Sequence, residues 1–219
     1  MHRLLVSITA LLLMLPQCLA AGLPSSMPEG QGFDSGKLAE VLRAVKESGQ
    51  PVHSLLVVLR GNVVLDANFY PYDGSLHDVA SVTKSVTTSL IGIADGEGLL
   101  DLDAAMLSFF PGRTVANRDD RKERITVRQL TQNLSGLACV GYPDEVTLEQ
   151  MAASDDFVQF TLDLPMSHEP GTHFDYCSPG MHLLSAILQQ AAGRTALDFA
   201  REKLFAPLGI ADVAWDDDP

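Results

Sequence analysis

Positive charge is scarce in this sequence. It has 15 lysines and arginines against 28 acidic residues, a formal net charge of -13. A chain of that sign makes a poor partner for nucleic acid or an anionic membrane. Cysteine is scarce too, with three in 219 residues and neither a CxxC pair nor a nearby HxxH pattern. The usual zinc frameworks are therefore excluded, and no metal or cofactor is expected. Past the N-terminus no apolar run is long enough to cross a bilayer, and neither an internal repeat nor a low-complexity tract is present.

Met1-His2-Arg3 is followed by apolar residues 4–15, then Pro16, Gln17 and the small pair Ala20-Ala21. This is the layout of a secretory signal peptide, here assigned to residues 1–20 with cleavage after Ala20. Gln17 is a poor neighbour for a lipid anchor on Cys18. The product is expected to be exported, periplasmic or secreted, with no stable membrane insertion after cleavage. Residues 21–33 are rich in Gly, Pro and Ser and read as a linker with little order. Residues 34–219 suffice for one domain with a real core. An oxidising compartment permits Cys139 and Cys177 to pair, or they stand as two separate thiols.

Leu38, Val41, Leu42 and Val45 recur at helical spacing, which predicts an amphipathic helix over 35–48. Two β-rich runs, 54–59 and 63–69, are joined through Arg60-Gly61-Asn62, a hairpin turn in which Gly and Asn accept positive φ. Residues 81–97 are apolar or small almost all round, as expected of a central helix buried on every side. Residues 117–124 are dominated by charge and read as a solvated loop. Further helices are predicted at 127–134, 148–162, 180–192 and 195–205. His168 and His182 read as isolated histidines on a loop and a helix.

Ser81-Val82-Thr83-Lys84 stands at the entry to the apolar helix. Residues three apart share a helix face, so the Lys84 amine can reach the Ser81 hydroxyl. A serine is a weak nucleophile until a neighbour takes its proton, and a lysine does so when burial disfavours its ammonium. The tetrad alone is weak, since Ser81 as a helix cap and Lys84 as a surface lysine would look the same. Its context carries more weight: no other charge follows on that helix until Asp95.

The order of several motifs resembles the β-lactamase and penicillin-binding-protein type of serine hydrolase. They are the hairpin from His53 to Asn62, Phe69-Tyr-Pro-Tyr-Asp73, the SVTKSVT block from Ser81 and Gly98-Leu-Leu-Asp101. After these come Ile125-Thr-Val-Arg-Gln-Leu-Thr131, Leu134-Ser-Gly-Leu137 and Pro170-Gly-Thr-His-Phe-Asp-Tyr-Cys-Ser178. The resemblance covers residues 34–219 and implies an α+β fold, an antiparallel sheet beside an all-helical part. It implies Ser81 as acyl-accepting nucleophile, Lys84 as its proton partner and Tyr176 as a second acid/base. Cys139 and Cys177 each follow a motif at the active-site rim, which predicts a disulfide between them. The implied substrate is a small ester, amide or β-lactam-like molecule, or a peptidoglycan-like one, with no cofactor.

Two departures from the family pattern bear on that reading. Ser178 stands where the pattern Tyr-x-Asn has its amide; serine's shorter arm needs a closer partner or a water to position substrate. This tilts the expected reaction toward an esterase or short-amide hydrolase. No Lys/His-x-Gly motif occurs after Tyr176, so the chain is expected to be the N-terminal portion of such a domain and not to turn over substrate alone. A reading from another class is an inactive relic or a peptidoglycan-binding module.

Overall fold

The computed structural model describes residues 22–141, 143–216 and 218. The expected signal peptide lies outside them. The chain divides into two compact units, Met1–Phe69 and Tyr70–Pro219.

In the first unit, α1 (Ser35–Glu47) starts at Asp34, whose carboxylate accepts from the Lys37 N–H at 3.1 Å. Leu38, Leu42 and Val45 form its half-buried stripe, while Val41 stays exposed. Strands β1 (Ser54–Leu59) and β2 (Asn62–Asn68) pair antiparallel. The turn residues are Arg60 and Gly61, at φ 49° and 77°; Asn62 already belongs to β2. Left-handed backbone at both central positions matches the twist of the flanking strands. Opposite Val57-Val58 the ladder skips Val64. This bulge leaves Val64 as the one buried residue of the hairpin.

Residues 22–33 of the expected linker carry more order than their composition predicts. Val63 donates to the Pro24 carbonyl at 2.8 Å, Ser26 donates to the Val63 carbonyl at 2.9 Å, and a 3-10 turn follows at Pro28–Gln31. An unpaired strand edge offers such a segment ready-made hydrogen bonds, which composition does not reveal.

The second unit is helical: α2 (Val82–Gly96), α3 (Asp120–Glu123), α4 (Val127–Thr131), α5 (Val146–Ala152), α6 (Phe157–Asp163), α7 (Ser178–Ala192) and α8 (Ala196–Ala200), which runs into a π-helical turn at Arg201–Phe205. The helix expected over 148–162 is broken in two, because Asp156 accepts from the Gln159 N–H at 2.8 Å and caps a new start. The one expected over 127–134 stops at Thr131, before Asn133 turns left-handed at φ 56°.

The central helix is α7 rather than α2. It touches α2, α4, α5, α6 and α8, and Leu183, Leu184, Ile187 and Leu188 on it are fully buried. Helix α2 buries only the face of Thr87, Leu90, Ile91 and Ala94, while Val82, Ser85, Ser89, Gly92 and Gly96 are exposed. Its small residues look apolar in sequence, but a serine or glycine loses little by facing water, so they do not force burial.

The charged stretch 117–124 is no solvated loop. It contains α3, and Lys122 on it is fully buried with its ammonium donating to the Ala116 and Leu162 carbonyls at 2.9 and 2.8 Å. Burial pushes the Lys122 ammonium below the usual lysine range, while Asp163 and Asp119 act the other way. Among the described residues no helix is long and apolar enough to cross a membrane.

Candidate active site

Ser81 occupies the N-cap of α2 with helical backbone angles, φ -69° and ψ -5°, and its side chain makes no capping hydrogen bond. A cap serine ordinarily accepts from an N–H of the first turn. Here Lys84 Nζ donates to Ser81 Oγ at 2.9 Å instead. The N–H groups of Val82, Thr83 and Lys84 are taken by the carbonyls of Val79, Ala80 and Ser81, which leaves the hydroxyl to the lysine. Just before the serine, Ala80 is left-handed at φ 44° and donates to Asp78 Oδ1 at 2.7 Å. A side chain is rarely held in that region, at a cost on the order of 1–3 kcal/mol, and residues held so cluster at functional sites.

Lys84 Nζ also stands 5.2 Å from the centroid of the Tyr176 ring. The ammonium is therefore near both the serine hydroxyl and the face of the tyrosine, and its charge and the ring quadrupole favour the second contact. The three residues named from sequence come together at one point. Tyr176 is the second residue before α7, and its backbone is held from both sides by Asn133. The Asn133 carbonyl accepts from Asp175 N at 3.0 Å and its side-chain oxygen accepts from Cys177 N at 3.1 Å. Gly141 approaches so closely that any side chain there would run into the Tyr176 carbonyl.

Cys139 and Cys177 form a disulfide, with Cα atoms 5.5 Å apart, inside the range such a bond spans. It adds a covalent tie one residue past Tyr176, closing a loop of sequence separation 38. On the order of 2–4 kcal/mol should be lost in Cys177→Ser, read as a lower urea midpoint. A non-reduced digest checks the pairing first: the Cys139 and Cys177 peptides should run as one linked mass, and two unlinked peptides would refute it.

Ser178 is buried at the start of α7, and its hydroxyl donates to Glu145 Oε2 at 3.1 Å. The hydroxyl at this position is thus paired with a carboxylate. Glu145 sits left-handed at φ 50° in front of α5. Neither it nor Asn133 was signalled by sequence, because each acts across more than thirty residues of chain. Lys84 and Ser178 also line a cavity of about 1430 Å³ within the second unit, whose apolar wall includes Phe109, Met151, Phe157 and Trp215. His182 lines it too and meets the Phe157 ring edge-on at 5.6 Å.

His168 is not isolated, because His173 and Asp175 stand beside it, and His182 packs against Phe157. His168, His173 and Asp175 lie in the loop between α6 and α7.

Compared with known proteins, residues 38–219 match the family described as Beta-lactamase, and the chain belongs to that family. Penicillin-binding protein 4 of Amycolatopsis lactamdurans is 30% identical over 139 residues, which is 62% of this chain and 35% of the relative. A D-aminopeptidase of Brucella anthropi is 31% identical over 141 residues, 60% of this chain and 25% of the relative. Among solved structures, the octameric penicillin-binding protein homologue from Pyrococcus abyssi superposes with a TM-score of 0.64 at 25% identity, covering 81% of this chain and 43% of that one. The fold is thus the α+β β-lactamase/transpeptidase type. The chain spans about a quarter to a third of the length of these two curated relatives.

Proposed function

We propose that the protein is an exported serine hydrolase that forms an acyl-enzyme on Ser81 and acts on a small ester or amide. The observation that carries this reading is the Lys84 Nζ to Ser81 Oγ contact of 2.9 Å, with the same Nζ 5.2 Å from the Tyr176 ring centroid. In the attacking state the bond reverses, with the hydroxyl donating to an uncharged Lys84 amine. Ser81 Oγ then bonds to the substrate carbonyl carbon as its proton passes to Nζ. The Ser81 N–H, at the positive end of α2, faces the developing oxyanion. As the tetrahedral intermediate collapses, the bond to the leaving group breaks and the Tyr176 hydroxyl hands that group a proton, which Lys84 replaces. Water then attacks the acyl carbon, the C–Oγ bond breaks, and the water's proton passes through the Lys84 and Tyr176 pair to Ser81 Oγ as the acid leaves.

The D-aminopeptidase relative supports an amide among the substrates. A peptidoglycan-like peptide end belongs to the same class. Nothing at the site favours an inactive relic or a mere binding module, since nucleophile, lysine and tyrosine are all present and in reach of one another.

The test is to treat the purified protein with a fluorophosphonate and with benzylpenicillin, weigh it intact and map the adduct. One adduct, on the peptide carrying Ser81, is expected from at least the fluorophosphonate. An adduct on another serine, or none from either probe on folded protein, would overturn the assignment. Acylation of Ser81 by a p-nitrophenyl ester, a D-amino-acid amide and a chromogenic cephalosporin, read by intact mass without relying on turnover, then ranks the substrate classes.

A further inference from the structure

The geometry points to a divalent metal site made by His168, His173 and Asp175, for zinc or a similar first-row ion, at the edge of the loop that delivers Tyr176. The ligating atoms of the three side chains all lie within 4.8 Å of one another. The two imidazoles face each other with centroids 4.2 Å apart and planes 34° apart. Their Nε2 atoms address different oxygens of one carboxylate, His168 to Oδ2 at 3.9 Å and His173 to Oδ1 at 3.6 Å.

Those separations are too long for hydrogen bonds. Ligands at about 2.0–2.2 Å from a tetrahedral zinc stand roughly 3.4 Å apart, so the two histidine–carboxylate separations have to shorten by a few tenths of an ångström around the ion. Both imidazoles are exposed and free of packing that would oppose that adjustment. Two imidazoles and a carboxylate select zinc, copper, nickel or cobalt over calcium or magnesium, whose ligands are oxygens. Three protein ligands leave a position for water.

The scaffold beneath the cluster is fixed. His168 N donates to the Gly136 carbonyl at 3.2 Å, Gly171 N to Leu134 O at 2.8 Å and Asp175 N to Asn133 O at 3.0 Å. Any side chain at Gly136 would strike the His168 carbonyl. The loop therefore lies flat on residues 133–136, and the ligands project from backbone that is already ordered, which lowers the cost of gathering them. Glu169, the other acidic residue of the loop, is engaged by Arg124 at 2.9 Å and leaves the set at three. Metal would tie the loop together immediately before Tyr176, as the disulfide does immediately after it. None of this depends on hydrolase activity.

The experiment is titration of untagged, chelator-treated protein with Co²⁺ and with Zn²⁺. The unsubstituted chain should take up one equivalent of Co²⁺ with a visible d–d band, which one equivalent of Zn²⁺ abolishes. Its thermal midpoint should rise with Zn²⁺ by mass action. His168→Gln, His173→Gln and Asp175→Asn should each weaken binding by more than the ~10–100-fold of a lost outer-shell partner. His168 and His173 are exposed, so those two variants should fold, which circular dichroism verifies. No stoichiometric Co²⁺ band in the unsubstituted protein, or binding that survives both histidine substitutions, would overturn the proposal.

Discussion

Lys84→Met should slow acylation of Ser81 by about 10²-fold or more, the ordinary scale of lost acid/base help, while Ser81→Ala should remove the covalent adduct altogether. The two substitutions separate chemistry from architecture. Ser81 is exposed, so alanine there removes a hydroxyl and a hydrogen bond from Lys84 but no packing. Methionine keeps the length of the lysine stem and loses only the amine that stands 2.9 Å from Oγ and over the Tyr176 ring. Stopped-flow or quenched labelling with a fluorophosphonate gives the acylation rate constant directly, without relying on turnover. An unchanged rate in Lys84→Met would mean that the lysine merely neighbours the nucleophile, and another base would have to be sought.

Lys122→Met should destabilise the second unit by roughly 1–3 kcal/mol, the cost of leaving a buried acceptor without its donor. The ammonium satisfies the Leu162 carbonyl at the end of α6 and the Ala116 carbonyl across the chain from it; methionine fills the space but donates to neither. The pH dependence has a definite sign. Because burial lowers the folded-state proton affinity of Lys122, the unfolded chain holds more protons in the window between the depressed value and the ordinary one near 10.4. Stability contributed by this group therefore rises with pH across that window. The gap between unsubstituted protein and Lys122→Met, measured by urea unfolding, should widen as pH rises toward about 10. A gap that is flat or narrows with rising pH would contradict the assignment of burial as the governing cause.

Sequence disclosed the parts of the site that are local. Ser81 and Lys84 are three residues apart, and the rule that places them on one helix face needs no tertiary information. The hairpin likewise follows from two β-rich runs and a glycine between them, though not the bulge at Val64, which interrupts the two-residue alternation. Tyr176 came from the order of motifs and not from any property of its own surroundings. What sequence withheld is what the fold brings together: Asn133 reaching both neighbours of Tyr176, Glu145 claiming the Ser178 hydroxyl, Lys122 turned inward, and two histidines gathered on one aspartate. Lys122 is instructive, because a lysine among seven other polar residues reads as solvated until its two carbonyl acceptors are seen. The ranking of α2 and α7 failed for the opposite reason. Serine, threonine and glycine on α2 permitted burial without requiring it, whereas leucine and isoleucine on α7 required it.

Asn133 gives the site a history as well as a geometry. Its carbonyl and side-chain oxygen hold Asp175 and Cys177 from 42 and 44 positions earlier in the chain, so the cradle for Tyr176 leaves the ribosome before the tyrosine does. The serine and lysine can meet as soon as the first turn of α2 winds. Bringing Tyr176 to them requires closing a long loop, an entropic barrier that local helix formation does not share. The serine–lysine pair therefore rests on local structure and the tyrosine on long-range closure. A nascent or partly unfolded chain would hold the nucleophile and its amine with no tyrosine beside them, and the reactive triad would exist only once the loop has closed.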